Sequence, residues 1–91
     1  MFRIPFFNRH KVVSDEGFTI TFVSRHALRY DEGDIAVLID IDGDRTQMDM
    51  FTKSIRAFDS DGKLPDALTI QKIENNIALA LEWKGWKVHR K

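Results

Sequence analysis

Cysteine is absent from this chain, so neither a disulfide nor a thiolate metal site is available to it. That fits a reducing compartment without requiring one, and a cytoplasmic protein is the expectation. No apolar run approaches the roughly 20 residues needed to cross a bilayer, so no membrane association is expected. The start, "MFRIPFFNRHK", is aromatic and basic, but Pro5 interrupts its short apolar stretch and no small-residue cleavage site follows; it is not expected to act as a leader. An excess of one charge sign is missing as well. Fourteen basic residues balance 14 acidic ones. Neutrality disfavours nucleic-acid binding, although Arg3, Arg9, His10, Lys11 and the terminal "KVHRK" would be its basic residues, with Phe6, Phe7 and Trp86 to stack bases.

Signatures of catalysis are also lacking. His10, His26 and His89 have no HxxxH-like spacing, and Ser14, Ser24, Ser54 and Ser60 stand in no nucleophile-elbow context. There is no glycine-rich phosphate loop. No enzyme activity, no catalytic residue and no cofactor is expected.

What is present is the material of one small core. Ninety-one residues, 43% of them hydrophobic and 31% charged, suit a single domain of residues 1–91 that buries roughly 60–65% of its unfolded surface. Residues 1–10 are expected to be a loosely attached segment of it. "DEG" occurs at 15–17 and 31–33, each time before an alternating apolar run, as at a strand-to-strand turn. In "VVSDEGFTITFV", Phe18, Ile20 and Phe22 share one face and Thr19 and Thr21 the other. "RHALRY" is a weaker strand. "DIAVLIDID" is the strongest, with Ile35, Val37, Ile39 and Ile41 on one side and Ala36 and Leu38 on the other, as in mid-sheet. Asp42-Gly43 then reads as a type I′ turn into "RTQMDMF". "SIRAF" is a further short extended piece with Ile55 inward, and "DSDGKLPDA" is a loop by composition.

The remainder is helical. Thr69 reads as the N-cap, and Ile70, Ile73, Ile77, Ala80 and Leu81 fall on one arc. Gly85 stands where a left-handed glycine ends a helix, with Trp86 placed to cover Leu81, and "WKVHRK" closes the chain as an edge strand. The expected fold is therefore α+β: an antiparallel β-sheet of about five strands with one C-terminal amphipathic helix packed on one face. Its expected core is Phe18, Ile20, Phe22, Val37, Ile39, Ile41, Met48, Ile55, Ile73, Ile77 and Leu81. Leu79 and Trp83, spaced i, i+4, lie off the inward arc. Either they pack under the N-terminal segment or last strand, or they form an exposed apolar patch.

Asp40, Asp42 and Asp44 invite a calcium-loop reading that the spacing refuses. With Asp40 first, Arg45 occupies the sixth position, where glycine is needed, and Phe51 the twelfth, where a bidentate glutamate is needed. With Gly43 sixth, Leu38 falls first and Asp49 twelfth. A run at 59–63, "DSDGK", fails likewise. No metal site is expected, and the aspartates read as a turn. They belong to an acidic middle: residues 15–66 carry 12 acids against six bases, whereas the two ends together carry eight bases and two acids. Such segregation can steer a basic partner.

"LRYDEGDIAVLID" (28–40), "KSIRAF" (53–58) and "TIQKIENNIALALEWKGWKV" (69–88) together resemble a family of small bacterial immunity proteins from polymorphic toxin systems, immunity protein seventy-four. The pattern in the last stretch falls on Ile73, Asn76, Ile77, Ala80, Leu81, Gly85 and Val88. After the S-I pair, where the family has a tryptophan and a proline-rich loop, this chain has Phe58 and "DSDGKLPD". The resemblance implies a non-enzymatic, stoichiometric inhibitor that binds a cognate toxin domain in the cytoplasm. Its partner-binding residues would come from Tyr30, Asp40, Asp42, Asp44, Leu79 and Trp83, with Tyr30 or Trp83 as anchors. The alternative is a small self-associating structural protein with no specific ligand, a homodimer through Leu79 and Trp83.

Overall fold

The computed structural model describes residues 1–6, 8–59 and 62–91; of the sequence expectations, those for Phe7, Ser60 and Asp61 lie outside the described residues. In chain order its elements are strands β1 (Phe2–Arg3), β2 (Lys11–Ser14), β3 (Phe18–Ser24), β4 (Ala27–Glu32), β5 (Ile35–Gly43) and β6 (Gln47–Ala57), helix α1 (Ala67–Trp83) and strand β7 (Lys87–Arg90). They form one sheet whose spatial order is the chain order. Neighbours are antiparallel except β6 and β7, which run parallel because α1 carries the chain back to the end where β6 began. The α+β class holds. The strands described exceed the expected five: β1 is too short for a period-two pattern to register, whereas β7 is the edge strand expected of "WKVHRK".

Residues 1–10 are tied to the sheet at their start. The Asp15 N–H donates to the Met1 carbonyl at 3.0 Å, and the Phe2 ring meets Phe18 edge-on at 5.8 Å.

"RTQMDMF" and "SIRAF" are one strand, not two. Leu38 pairs with Arg56 and Asp40 with Phe51, so two steps along β5 face five along β6. The odd number of extra residues reverses which side faces inward: Met48 and Met50 are buried before the bulge and Ile55 after it. That reversal is what made the two runs look separate.

Helix α1 covers one face of the sheet. Its cap is Asp66 rather than Thr69: the Asp66 carboxylate accepts the Thr69 N–H at 2.8 Å, which makes Thr69 the third helical residue. Two good capping residues three apart leave that choice open in the sequence. The far end matches the expectation. Gly85 has φ of 110°, its N–H donates to the Glu82 carbonyl at 2.9 Å, and the Trp86 N–H donates to the Leu81 carbonyl at 3.1 Å, both bonds of a Schellman ending. Ile73, Ile77, Ala80 and Leu81 are fully buried, each large side chain contributing roughly 1.5–3 kcal/mol of transfer free energy. The expected core is buried except for Phe22, which is half-buried against it, and Val12, Leu28, Tyr30, Met50, Ala78 and Ala80 complete it.

Candidate functional site

The acidic end of the sheet is built by strands of unequal length. β4 begins at Ala27, opposite Asp40, so Asp42 and Gly43 run past it and pair only with β6. Alternation buries Ile39 and Ile41 and turns Asp40 and Asp42 outward. Gly43 is not the corner of a type I′ turn. It is the last residue of β5, with no positive φ, and a Cβ there would stand 2.3 Å from the Gln47 carbonyl oxygen. Close approach, not backbone handedness, calls for glycine at this position.

The turn comes at residues 44–46, and Asp44 organises it. One carboxylate oxygen accepts the Thr46 N–H at 2.8 Å, the Gln47 N–H at 2.9 Å and the Thr46 hydroxyl at 3.0 Å. The Thr46 N–H, then that of Gln47, then the hydroxyl hold this carboxyl below the usual carboxylate range. Because the side chain takes the Gln47 N–H, the Asp44 main-chain carbonyl is open to another donor, and the Trp86 indole N–H supplies it at 2.8 Å. The Lys87 N–H donates to the Thr46 carbonyl at 2.8 Å. The acidic turn and the start of β7 are thereby locked together.

The three aspartates do separate work. Asp40 pairs with Arg56 at 3.0 Å, Asp42 stands 3.7 Å from the His26 ring, and Asp44 serves its own turn. Asp42 lies directly opposite Asp49, whose nearest cation, Lys91, is 4.0 Å away. Among the described residues no group of three or more His, Asp or Glu side chains could hold a metal ion.

Tyr30 belongs to the interior. It is 0% exposed and stacks on Phe18 at 5.3 Å, so it offers no surface to a partner. Period two explains the correction: Leu28 and Tyr30 share the inward side of β4. The Tyr30 hydroxyl donates to Glu32 at 2.5 Å and accepts from the Asn76 amide of α1 at 2.9 Å, and Lys72 reaches Glu32 at 3.2 Å. Burial, then the bond to Glu32, pushes the Tyr30 pKa up. The same hydroxyl, opposed by desolvation and helped by Lys72, draws that of Glu32 down.

Leu79 and Trp83 lie on the outer side of α1, 54% and 46% exposed. Trp83 meets Phe2 of β1 at 5.8 Å without being covered by it. Of the two alternatives the exposed apolar strip is the one found; the N-terminal segment touches Trp83 through Phe2 but covers neither residue. The structure does not bring the six residues together: the aspartates share one sheet end, Tyr30 is inside, and Leu79 and Trp83 are on the helix.

Sequence reasoning did not single out the space beside the acidic turn, where Phe22, Val23 and Arg25 approach Met48 and Trp86. These residues come from distant segments, and the only local signal was Trp86 beyond the helix-ending glycine. No known protein family, curated protein or solved structure matches the chain. Among the described residues no helix is long and apolar enough to cross a membrane.

Proposed function

We propose that this chain is a non-enzymatic immunity protein, a cytoplasmic one-to-one binder and inhibitor of a bacterial toxin domain with a basic surface. The observation that carries the reading is the Asp42–Asp49 pair. Like charges directly opposite across two antiparallel strands weaken the isolated sheet. Here they flank a turn whose third carboxylate is already fixed by three hydrogen bonds. A rigid, self-repelling acidic end is relieved by a cationic partner and speeds encounter with it. Asp40, neutralised by Arg56, contributes less to that field than Asp42 and Asp44. The test is co-expression and pull-down with the toxin encoded beside the gene. Survival of the cells and a one-to-one complex whose association slows in salt are expected, and Asp42→Asn with Asp49→Asn should slow it further. A toxin that is not captured, or still kills, sinks the reading.

The exposed strip of Leu68, Leu79 and Trp83 favours a second reading, self-association through the outer side of α1. Light scattering on the purified chain distinguishes a dimer from a monomer.

A further inference from the structure

We propose that the cleft between the β3–β4 turn and the acidic turn binds a small organic anion with a flat apolar body, such as an aromatic carboxylate. The cleft exists because β4 is short. β3 ends with it, since Ser24 pairs with Ala27, while β5 and β6 run on to Gly43 and Gln47, so the cleft lies between the β3–β4 turn and the overhanging end of that hairpin. Its volume of about 560 Å³ lies in the range of small-molecule sites. The apolar lining is Phe22, Val23, Ile41, Met48 and Trp86, with the Phe22 and Trp86 rings 5.7 Å apart and tilted at 53°. At that spacing the two rings pack on each other and form one continuous aromatic wall, against which a flat body lies better than a chain.

The polar groups decide the charge. On the Asp44 side Oδ1 takes three bonds from its own turn and the main-chain carbonyl takes the Trp86 indole, but the carboxylate keeps its negative charge, so an anion sits away from it, at the opposite wall. On the β3 side the open groups are donors. Arg25 has no carboxylate or carbonyl partner among the described residues, nor has the His10 ring, and both line the cleft. The Ser24 hydroxyl oxygen accepts the His26 N–H at 3.1 Å and keeps its proton to donate. Lys84 adds a cation 5.0 Å from the centre of the Phe22 ring and 5.5 Å from that of Trp86. The ligand therefore carries its negative group at the Arg25 side and its ring over Met48 and Trp86. This proposal does not rest on the toxin reading, and either can fail alone.

The experiment is a titration of the whole chain, labelled with nitrogen-15, with 2-naphthoate, 2-naphthamide and 2-naphthylmethylamine, followed by amide and indole chemical shifts. Saturable shifts of the Trp86 indole N–H and of the Val23 and Gly43 amides are expected with naphthoate, at a Kd below about 1 mM. The neutral amide and the cationic amine should bind at least about tenfold more weakly. Arg25→Gln should weaken naphthoate by about tenfold, and Val23→Glu, a carboxylate placed on the apolar wall, should abolish its shifts. Both positions are exposed, so both variants fold. Lys63→Gln, in the loop before α1, should change nothing. The proposal is overturned if naphthoate gives no saturable shift, if the three probes bind alike, if Arg25→Gln binds as tightly as the parent, or if the shifts centre on Trp83.

Discussion

The main-chain N–H of Asp40 is bonded by the side chain of Ser54, at 2.7 Å, where a regular strand would present a carbonyl. The Ser54 hydroxyl donates in turn to the Phe51 carbonyl at 2.6 Å, and Arg56 joins the Asp40 carboxylate to the Ser54 carbonyl at 3.0 and 2.9 Å. One hydroxyl thus closes the gap that the β6 bulge opens in the ladder. Ser54→Ala leaves the partly buried Asp40 N–H unmatched, while the exposed Phe51 carbonyl can turn to water, and should lower stability by about 1–2 kcal/mol in urea unfolding. Ser54→Thr keeps the hydroxyl and should lose less.

Tyr30→Phe should cost about 1–3 kcal/mol, because the buried Asn76 amide loses its acceptor and Glu32 its shortest bond. In a double-mutant cycle with Asn76→Leu the two losses should not add, since both variants break the same bond.

The pH dependence of that network has a definite sign on each side. Glu32 has a lowered pKa in the folded chain, so its stabilisation is present above the ordinary carboxyl value and is lost as pH falls through the folded one. Tyr30 has a raised pKa, so its contribution is full below about pH 10 and declines as alkali ionises the unfolded chain first. Tyr30→Phe should therefore flatten the loss at both extremes in denaturant midpoints measured across pH.

Two glycines separate two causes. At Gly85 a Cβ meets nothing within 4 Å, so Gly85→Ala costs only the left-handed backbone, about 1–2 kcal/mol. At Gly43 the φ is ordinary, but the Cβ would press on the Gln47 carbonyl, so Gly43→Ala must displace the hairpin. It should destabilise more than Gly85→Ala in thermal melts and shift the Trp86 indole resonance, which Gly85→Ala should leave closer to its place.

Ile77 and Leu79 are two residues apart on α1 and should respond oppositely to a charge. Ile77→Asp buries an unpaired carboxylate and should abolish the cooperative melt. Leu79→Asp stays in solvent and should shift stability by no more than about 0.5 kcal/mol, while reducing any dimer seen by light scattering.

Local chemistry was enough for much of this architecture. The period-two runs placed β3 and β5, the "DEG" corners placed two hairpins, and the inward arc with Gly85 placed α1 and its ending, because these features depend on neighbours within a few residues. Distance along the chain set the boundary of that legibility. The shifted pairing of Leu38 with Arg56 across the β6 bulge, the indole bond from Trp86 to Asp44 and the burial of Tyr30 under Asn76 each join residues far apart in sequence, and no local pattern encodes which will meet. The six candidate site residues divide the same way: the sequence by itself determined that Asp42 and Asp44 would stand at an exposed acidic end, since alternation and turn chemistry require it. Only packing α1 on the sheet decided that Tyr30 is enclosed and that Leu79 and Trp83 face solvent, because a helix wide enough to bury one side must present the other.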